Sequence, residues 1–300
     1  SNGNCIFVES GGVRLLIDAG LSGEAAANRL EVFGIDIGSS DGVLISHDHL
    51  DHVKCAGVLH RKFQLPIWIT QKTYERATKQ HRLGRFGDLN FFKSGERINF
   101  GKVSVETLPT VHDAVDGVCF VVDDGLRRLG VMTDLGRTKS LASVLQKNNS
   151  NLNNTPKHEK KISDLHVPRQ KFFSNFGEQH FSTHTRNNSK NCDADHYERI
   201  ISTLDGLLIE SNFDIEMLSN GSYSQGLQER IRGRGGHLSN LEAAKLIKSA
   251  GKKLRWVCLG HISKENNTHE AVLDTHRTIL GKNLPLKIAS RYNTSELLEL

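Results

Sequence analysis

The most reactive part of the sequence is a short run of histidines and aspartates at residues 47–52. The run is His47-Asp48-His49-Leu50-Asp51-His52, with three histidines and two aspartates within six residues. In an extended segment, His47 and His49 project to the same side, and Asp51 and His52 follow where a helix is expected to begin. Imidazole and carboxylate groups suit zinc, manganese or iron. The run therefore predicts a metal site, with a histidine-rich surface loop as the alternative.

Further ligands are expected downstream, because one cluster rarely completes two coordination spheres. Three polar residues each follow a β-rich run directly: His112, Asp134 and His261. The carboxyl ends of strands are where sheets present ligand-binding groups. Each of these side chains alone is equally consistent with an ordinary loop residue, but together with the 47–52 run they favour metal binding.

The spacing of apolar residues predicts strands and helices that alternate in both halves of the chain. Strands are expected at 5–9, 13–18, 42–46, 66–70, 98–108, 118–123, 128–133, 204–210, 254–259 and 286–289, the first two as a hairpin. Helices are expected at 24–33, 53–63, 73–82, 241–250 and 270–280. Two sheets packed face to face, with helices outside, fit this α+β pattern.

Residues 140–196 differ from the rest because they are rich in Asn, Ser, Lys and His and have little apolar periodicity. Such a segment gains too little from burial to offset its ordering entropy, so a flexible insertion is expected. Its five histidines (158, 166, 180, 184 and 196) are irregularly spaced, which favours solvated loop residues over metal ligands.

The bulk composition describes an ordinary globular protein of 300 residues with 37% hydrophobic residues, long enough for one large domain or two smaller ones. No apolar run approaches the roughly 18 residues of a membrane span, and the polar start lacks a signal peptide. Five cysteines without a C-x-x-C pair favour a reducing, cytoplasmic compartment. The abrupt start leaves open whether a first strand is missing. A net charge of +5 is compatible with a polyanionic substrate.

The order His-x-His-x-Asp-His at 47–52, then His112, Asp134 and His261, resembles the metallo-β-lactamase fold superfamily. Asp18, in Leu-Ile-Asp-Ala-Gly, matches the first motif of that superfamily. Five further segments resemble its bacterial YycJ/WalJ (VicX-like) subfamily: Ser1-Asn-Gly-Asn-Cys, Thr133-Asp-Leu-Gly, Glu210-Ser-Asn-Phe-Asp, Gly236-His-Leu-Ser-Asn and His261-Ile-Ser-Lys-Glu-Asn-Asn. The likeness covers roughly 1–139 and 197–295. Phe213 departs from it, because a His is expected at that position.

The resemblance implies a single domain over 1–300, a four-layer αβ/βα sandwich of two mixed β-sheets with helices on the outer faces. It also implies two divalent metal ions, with zinc expected first and manganese or iron as alternatives. His47, His49 and His112 would hold one ion; Asp51, His52 and His261 would hold the other; Asp134 would bridge them. Asp18 would support these ligands through hydrogen bonds.

The activity that the resemblance implies is metal-dependent phosphodiester hydrolysis, and the subfamily is associated with 5′ to 3′ DNA exonuclease activity. Two neighbouring cations share a water and lower its pKa to about 7, so that a metal-bridged hydroxide can attack phosphorus. Asp51 would orient that water. DNA is expected as the substrate ahead of RNA.

Glu210 and His237 are expected to supply the proton that the leaving alcohol needs. Glu210 ends a predicted strand, and His237 lies in Gly235-Gly236-His237, a turn just before a helix, where backbone can approach a phosphate closely. The pair resembles the acid–base pair of tRNase Z and of the phosphodiesterase PhnP. A helix-capping role for His237 is the alternative.

Substrate-binding residues are expected in two segments. Arg230, Arg232 and Arg234 alternate and would contact a phosphate backbone from one side of an extended segment, with a solvated basic loop equally consistent. Ser263, Asn266 and Asn267 would either donate hydrogen bonds to substrate or order their own loop.

Two other functions remain open at this point. One is a small-molecule hydrolase on the same scaffold, acting on a cyclic phosphodiester, a thioester or a lactone. The other is a metal-binding interaction protein without catalysis, which the complete ligand set disfavours. A fold does not determine a reaction, so Glu210, His237 and the arginines must discriminate among these functions.

Overall fold

The computed structural model describes residues 3–136 and 194–300. The predicted insertion at 140–196 therefore lies outside the described residues up to position 193. Its last three residues, 194–196, belong to a helix that begins at Ala194.

The first sheet has five strands in the order β1-β2-β3-β4-β5. The strands are β1 Ile6–Ser10, β2 Val13–Ile17, β3 Gly42–Leu44, β4 Ile67–Thr70 and β5 Leu89–Phe92. β1 and β2 form the predicted antiparallel hairpin, and every later pair is parallel. The sheet is therefore mixed.

The second sheet has seven strands in the order β12-β11-β10-β9-β8-β7-β6. They are β6 Arg97–Phe100, β7 Val103–Pro109, β8 Val118–Asp123, β9 Arg128–Met132, β10 Gly206–Glu210, β11 Trp256–Gly260 and β12 Leu286–Ile288. β6 to β9 pair antiparallel, whereas β9 to β12 pair parallel.

Nine α-helices lie in the described ranges, with one short 3-10 helix at Ile37–Ser39. They are α1 Gly23–Glu31, α2 Leu50–Val53, α3 Ala56–Phe63, α4 Gln71–Gln80, α5 Ala194–Ile201, α6 Ile215–Asn220, α7 Gln225–Arg232, α8 Asn240–Ala250 and α9 His269–Leu280. None of these helices is long and apolar enough to span a membrane.

Three buried clusters show how the layers pack. Alternate residues of one strand point to opposite faces: Leu15 and Ile17 of β2 join a cluster between the sheets, whereas Leu16 joins a cluster with α1 and α3. In the second sheet, Phe120 of β8 faces the first sheet and Val121 faces α5 and α8. The predicted sandwich of two mixed sheets with outer helices is thus confirmed.

Several predicted boundaries were wrong for local reasons. The helix expected at 53–63 is preceded by a separate turn of helix, α2, and is broken around Cys55. The strand expected at 98–108 is two strands, because Gly101 adopts a positive φ of 59° and turns the chain. β5 was not predicted, since its pairing with β4 is its main support.

Helix α5, which begins at Ala194 inside the predicted insertion, was not predicted. Tyr197, Ile200 and Ile201 have the i, i+3, i+4 spacing of a helix face and pack on the core beneath α8. This spacing is present in the sequence, but the polar composition of the neighbouring residues obscured the helix that it indicates.

Candidate metal centre

The candidate site lies where loops leave the ends of strands in both sheets. His47 follows β3, His112 follows β7 and Asp134 follows β9, while His261 follows β11 directly. Three site residues adopt left-handed backbone conformations: Asp18 at φ 66°, Asp134 at φ 52° and His261 at φ 51°. Such strain at residues other than glycine is concentrated at functional sites, where the surrounding structure maintains it.

His47, His49 and His112 form one group of potential donors, with ligand atoms within 4.8 Å of one another. Nε2 of His112 lies 3.2 Å from Nδ1 of His49. Nδ1 of His112 lies 3.1 Å from the carbonyl oxygen of Gly236. Because a carbonyl can only accept, Nδ1 donates there and Nε2 keeps its lone pair for a cation.

Asp51, His52 and His261 form a second group with the same spread of 4.8 Å. Asp134 lies beside both groups: its carboxylate is 3.2 Å from Nε2 of His52 and 3.5 Å from Nε2 of His112. It is also 3.5 Å from Nδ1 of His261. The structure therefore brings together all seven residues that the sequence suggested.

Asp18 lies beneath the second group, fully buried. Its carboxylate accepts hydrogen bonds from the backbone N–H of Ser46 at 2.8 Å and from Nδ1 of His52 at 2.7 Å. Nε2 of His52 is thereby directed at Asp134. Asn4, to which the sequence analysis gave no role, donates to the same Nε2 at 2.8 Å.

Two candidate ligand atoms are buried without a well-aligned hydrogen bond to any described residue: Nε2 of His47, and Oδ2 of Asp134, which faces Nε2 of His52 at 3.2 Å. Buried polar atoms are normally satisfied, so these two indicate a missing partner that attracts both a nitrogen and a carboxylate oxygen. A divalent cation has that property. The donor set fits such an ion on chemical grounds.

The electrostatics of the site favour positive charge at its centre. Burial alone would lower the pKa of His52, yet Asp18 and Asp134 hold it well above its usual range. Burial likewise opposes protonation of His261, but Asp134, Asp51 and Glu210 raise its pKa to about 10. For His47, burial and the neighbouring His52 outweigh the carboxylate of Asp134 and hold the pKa well below its usual range.

Glu210 and His237 lie together at the edge of this centre. Glu210 is fully buried, and its Oε1 accepts the backbone N–H groups of Leu135 and Leu238 at 3.0 and 3.1 Å. Its Oε2 lies 3.1 Å from Nδ1 of His237. Burial alone would raise the pKa of Glu210, but hydrogen bonds to His237 and His261 lower it to about 2.

Glu210 is therefore held as a hydrogen-bond acceptor beside His237, and the roles of both residues in proton transfer stay predictions. Its carboxylate orients His237. The two residues also form a donor group with Asp134 and His261. Direct binding of His237 to a metal ion is therefore a second possible arrangement, and the metal content of a His237 variant distinguishes it from proton donation.

Comparison with known proteins supplies the family. Residues 1–165, more than half of the chain, match the family model described as the Metallo-beta-lactamase superfamily. This chain belongs to the metallo-beta-lactamase superfamily. It is accordingly a metal-dependent hydrolase, and the superfamily implies divalent metal ions at the His/Asp cluster.

Individual relatives and structures agree with this assignment. The exodeoxyribonuclease WalJ of Streptococcus pneumoniae is 28% identical over 287 residues, covering 94% of this chain and 84% of the relative. The exodeoxyribonuclease YycJ of Bacillus anthracis is 26% identical, covering 90% and 82%. The crystal structure of YhfI from Bacillus subtilis, at 18% identity, superimposes with a TM-score of 0.60 over 98% of this chain and 90% of YhfI. At that identity the likeness concerns the fold alone.

A pocket of about 480 Å³ opens onto the candidate metal centre. One side is formed by site residues, among them His49, Asp51 and His237. The lining also includes residues to which the sequence gave no role: Tyr223, Leu227, Lys264 and Arg291. No local pattern marks Leu227 and Arg291, because α7 and the segment after β12 bring them there from distant positions.

The arginine segment is helical and not extended, contrary to expectation. Arg230 and Arg232 form the last turn of α7, and the helix begins because Ser224 accepts a hydrogen bond from the N–H of Leu227. Side chains two residues apart in a helix point in widely different directions, so the three arginines do not share a face. Arg232 donates to Ser219 at 2.6 Å, away from the pocket.

Arg230 alone of the three lines the pocket, whereas Arg234 is exposed beyond the helix. Arg230 donates twice to Oδ2 of Asp113, at 2.8 and 2.6 Å. Asp113 in turn lies 3.4 Å from Nε2 of His49 and of His112. This link between α7 and the histidines spans more than a hundred residues, so sequence spacing did not reveal it.

The three polar residues in the loop after His261, expected to bind substrate or to order the loop, lie in different environments. Ser263 lines the pocket. Asn267 is buried, and its amide donates to the carbonyl oxygens of Ser211 and Asn212 at 3.0 Å. Asn266 is buried as well and lies outside the pocket lining. Asn267 therefore orders the loop that carries His261, and neither asparagine lines the pocket.

Proposed function

We propose that this protein is a binuclear metal-dependent phosphodiesterase that degrades DNA as a 5′ to 3′ exonuclease. The observation that carries the proposal is the pairing of two donor groups, joined by Asp134, with a Glu210–His237 pair beside an open pocket. Two exodeoxyribonucleases that align with at least 90% of the chain support the choice of DNA.

In this proposal the ligands divide as the donor groups do. His47, His49 and His112 would hold one ion, Asp51, His52 and His261 would hold the other, and Asp134 would contribute to both. Neutral imidazole and carboxylate donors favour zinc, with manganese or iron as alternatives. A further donor group, His47, His52 and Asp134, joins the two proposed sites, and the poorly partnered Nε2 of His47 belongs to it.

When bound, two divalent cations lower the pKa of a shared water to about 7 and offset charge on the phosphoryl oxygens. The side chains supply the rest. Asp51, one-quarter exposed at the pocket, accepts a hydrogen bond from the attacking water and orients it. Glu210 fixes Nδ1 of His237, so that the ring presents its other nitrogen to the pocket and donates a proton to the leaving oxygen.

Asp18→Asn is expected to weaken metal binding by about 10–100-fold. This is the typical effect of removing the carboxylate to which a metal-binding histidine donates its other ring N–H. The asparagine keeps the shape but removes the charged acceptor that directs His52. Competition with a chromophoric chelator measures the affinity. Asp124→Asn is the matched control, because Asp124 also accepts several hydrogen bonds but lies outside every donor group. Equal affinity in both variants would contradict the role of Asp18.

The proposed function is tested with purified protein, manganese or zinc, and DNA and RNA strands labelled at either end. Stepwise shortening from the 5′ end of DNA, abolished by a chelator and restored by added metal, is the expected result. If the nucleic acids stay intact while bis(p-nitrophenyl) phosphate is cleaved, the protein is a small-molecule phosphodiesterase instead. A pocket of about 480 Å³ would accommodate such a substrate.

A further inference from the structure

A second cationic feature of the protein lies outside the pocket, on α4 and the loop that follows it. Residues 71–86 contain five Lys or Arg residues and one Glu, a net charge of +4 in a chain whose net charge is +5. Lys72, Arg76 and Lys79 have the spacing i, i+4, i+7 and therefore share one side of the helix. We call these three residues the basic face of α4.

The local sequence makes this face point outward. Thr70 caps the helix by accepting a hydrogen bond from the N–H of Thr73. Thr73 and Ala77 are buried against the first sheet, which leaves Lys72, Arg76 and Lys79 exposed. The one acidic residue of the helix, Glu75, accepts a hydrogen bond from Gln71 at 2.8 Å.

The basic face is joined to the metal centre by direct contacts. Asp48, between His47 and His49, is 4% exposed. Nε of Arg76 lies 3.8 Å from its carboxylate. Nε2 of His81, at the end of α4, donates to the carbonyl oxygen of Asp48 at 3.2 Å. Asp48 therefore links the basic face to His47 and His49, two of the proposed ligands.

We propose that the basic face of α4 binds the sugar-phosphate backbone of the DNA strand beyond the nucleotide that occupies the pocket. This inference rests on the proposed function, because it supplies a binding surface for the same substrate. Lys72 and Lys79 lie about 10 Å apart along the helix axis, a length that covers about three nucleotides at 3.4 Å each. Contacts of this type hold a strand in place without reading its sequence.

The charge reversal Lys72→Glu/Lys79→Glu tests the surface through binding of a 20-nucleotide phosphorothioate strand, which resists hydrolysis. Fluorescence anisotropy is expected to give a Kd at least about tenfold higher than wild type. The slope of log Kd against log salt concentration is expected to fall by about 1.4, or about 0.7 for each lysine lost from contact with a single strand. The neutral variant Lys72→Gln/Lys79→Gln should change both quantities in the same direction by less.

Lys252→Glu/Lys282→Glu is the matched control, with the same charge change at exposed positions just after α8 and α9, on the opposite outer layer. Its Kd and slope are expected to stay at wild-type values. An unchanged Kd and slope in the α4 variant, or an equal loss in the control, would overturn the inference. Hydrolysis of bis(p-nitrophenyl) phosphate by wild type and by the α4 variant tests the proposed function separately, since this substrate has no strand beyond its phosphodiester.

Discussion

Asp134→Ala is expected to abolish hydrolysis and to reduce bound metal in the same protein. The carboxylate of Asp134 lies 3.2–3.5 Å from nitrogen atoms of His52, His112 and His261, so its removal takes a donor from both proposed ion sites. Loss of several kcal/mol of charge stabilisation corresponds to a fall in kcat of about 10³-fold or more. Elemental analysis of the purified protein and hydrolysis of a labelled strand measure the two effects.

The control for this experiment is Asp124→Ala, which removes a carboxylate remote from the donor groups. It should retain both metal and activity. Circular dichroism and thermal unfolding of both variants establish that each is folded. An Asp134→Ala protein that keeps its full metal content and its activity would remove the central element of the proposal.

His237→Ala is expected to slow the cleavage of DNA by about 10²–10⁴-fold while metal stays bound. In the structure, Glu210 holds Nδ1 of His237 at 3.1 Å and the ring lines the pocket. A proton donor matters most when the leaving group is a poor one, such as the alkoxide of a nucleotide. Bis(p-nitrophenyl) phosphate releases an acidic phenol, so its hydrolysis should fall by less than about tenfold.

The comparison of the two substrates separates proton donation from metal binding. A loss of metal in His237→Ala would assign this histidine to the donor group that it forms with Asp134, Glu210 and His261. Equal losses on DNA and on the aryl ester, with metal retained, would indicate a structural role. Glu210→Gln should resemble His237→Ala on both substrates, because it removes the charge that orients the ring.

Asp51 and Glu210, whose carboxylates both lie beside His261, show how tertiary structure sets the environment of an acidic side chain. Asp51 is one-quarter exposed and borders the pocket, where its carboxylate can accept hydrogen bonds from substrate or water; burial alone would raise its pKa, but the hydrogen bond to His261 holds that pKa well below its usual range. Glu210 is fully buried among hydrogen-bond donors and keeps a pKa of about 2. From sequence, both were acceptable acid–base residues.

Features that depend on neighbours along the chain could be predicted from the sequence. The alternation of Leu15, Leu16 and Ile17 sets which residues face each layer, and the ten-residue helix α4 follows from its own spacing and cap. The 47–52 run could be identified as a metal site because its donors are adjacent, and adjacency needs no knowledge of the fold.

Features that depend on contacts between distant segments were settled by the tertiary structure alone. Asp113 meets Arg230 across a separation of 117 residues, and Asn4 meets His52 across 48. The turn that carries His237 needs Gly236, because a Cβ there would lie 2.0 Å from the carbonyl oxygen of Ile231 in α7. Local sequence determined the reactive groups of this protein and the elements that carry them. The packing of its two sheets decided which of those groups meet and which stay ionised, since proximity and burial exist only in the folded chain.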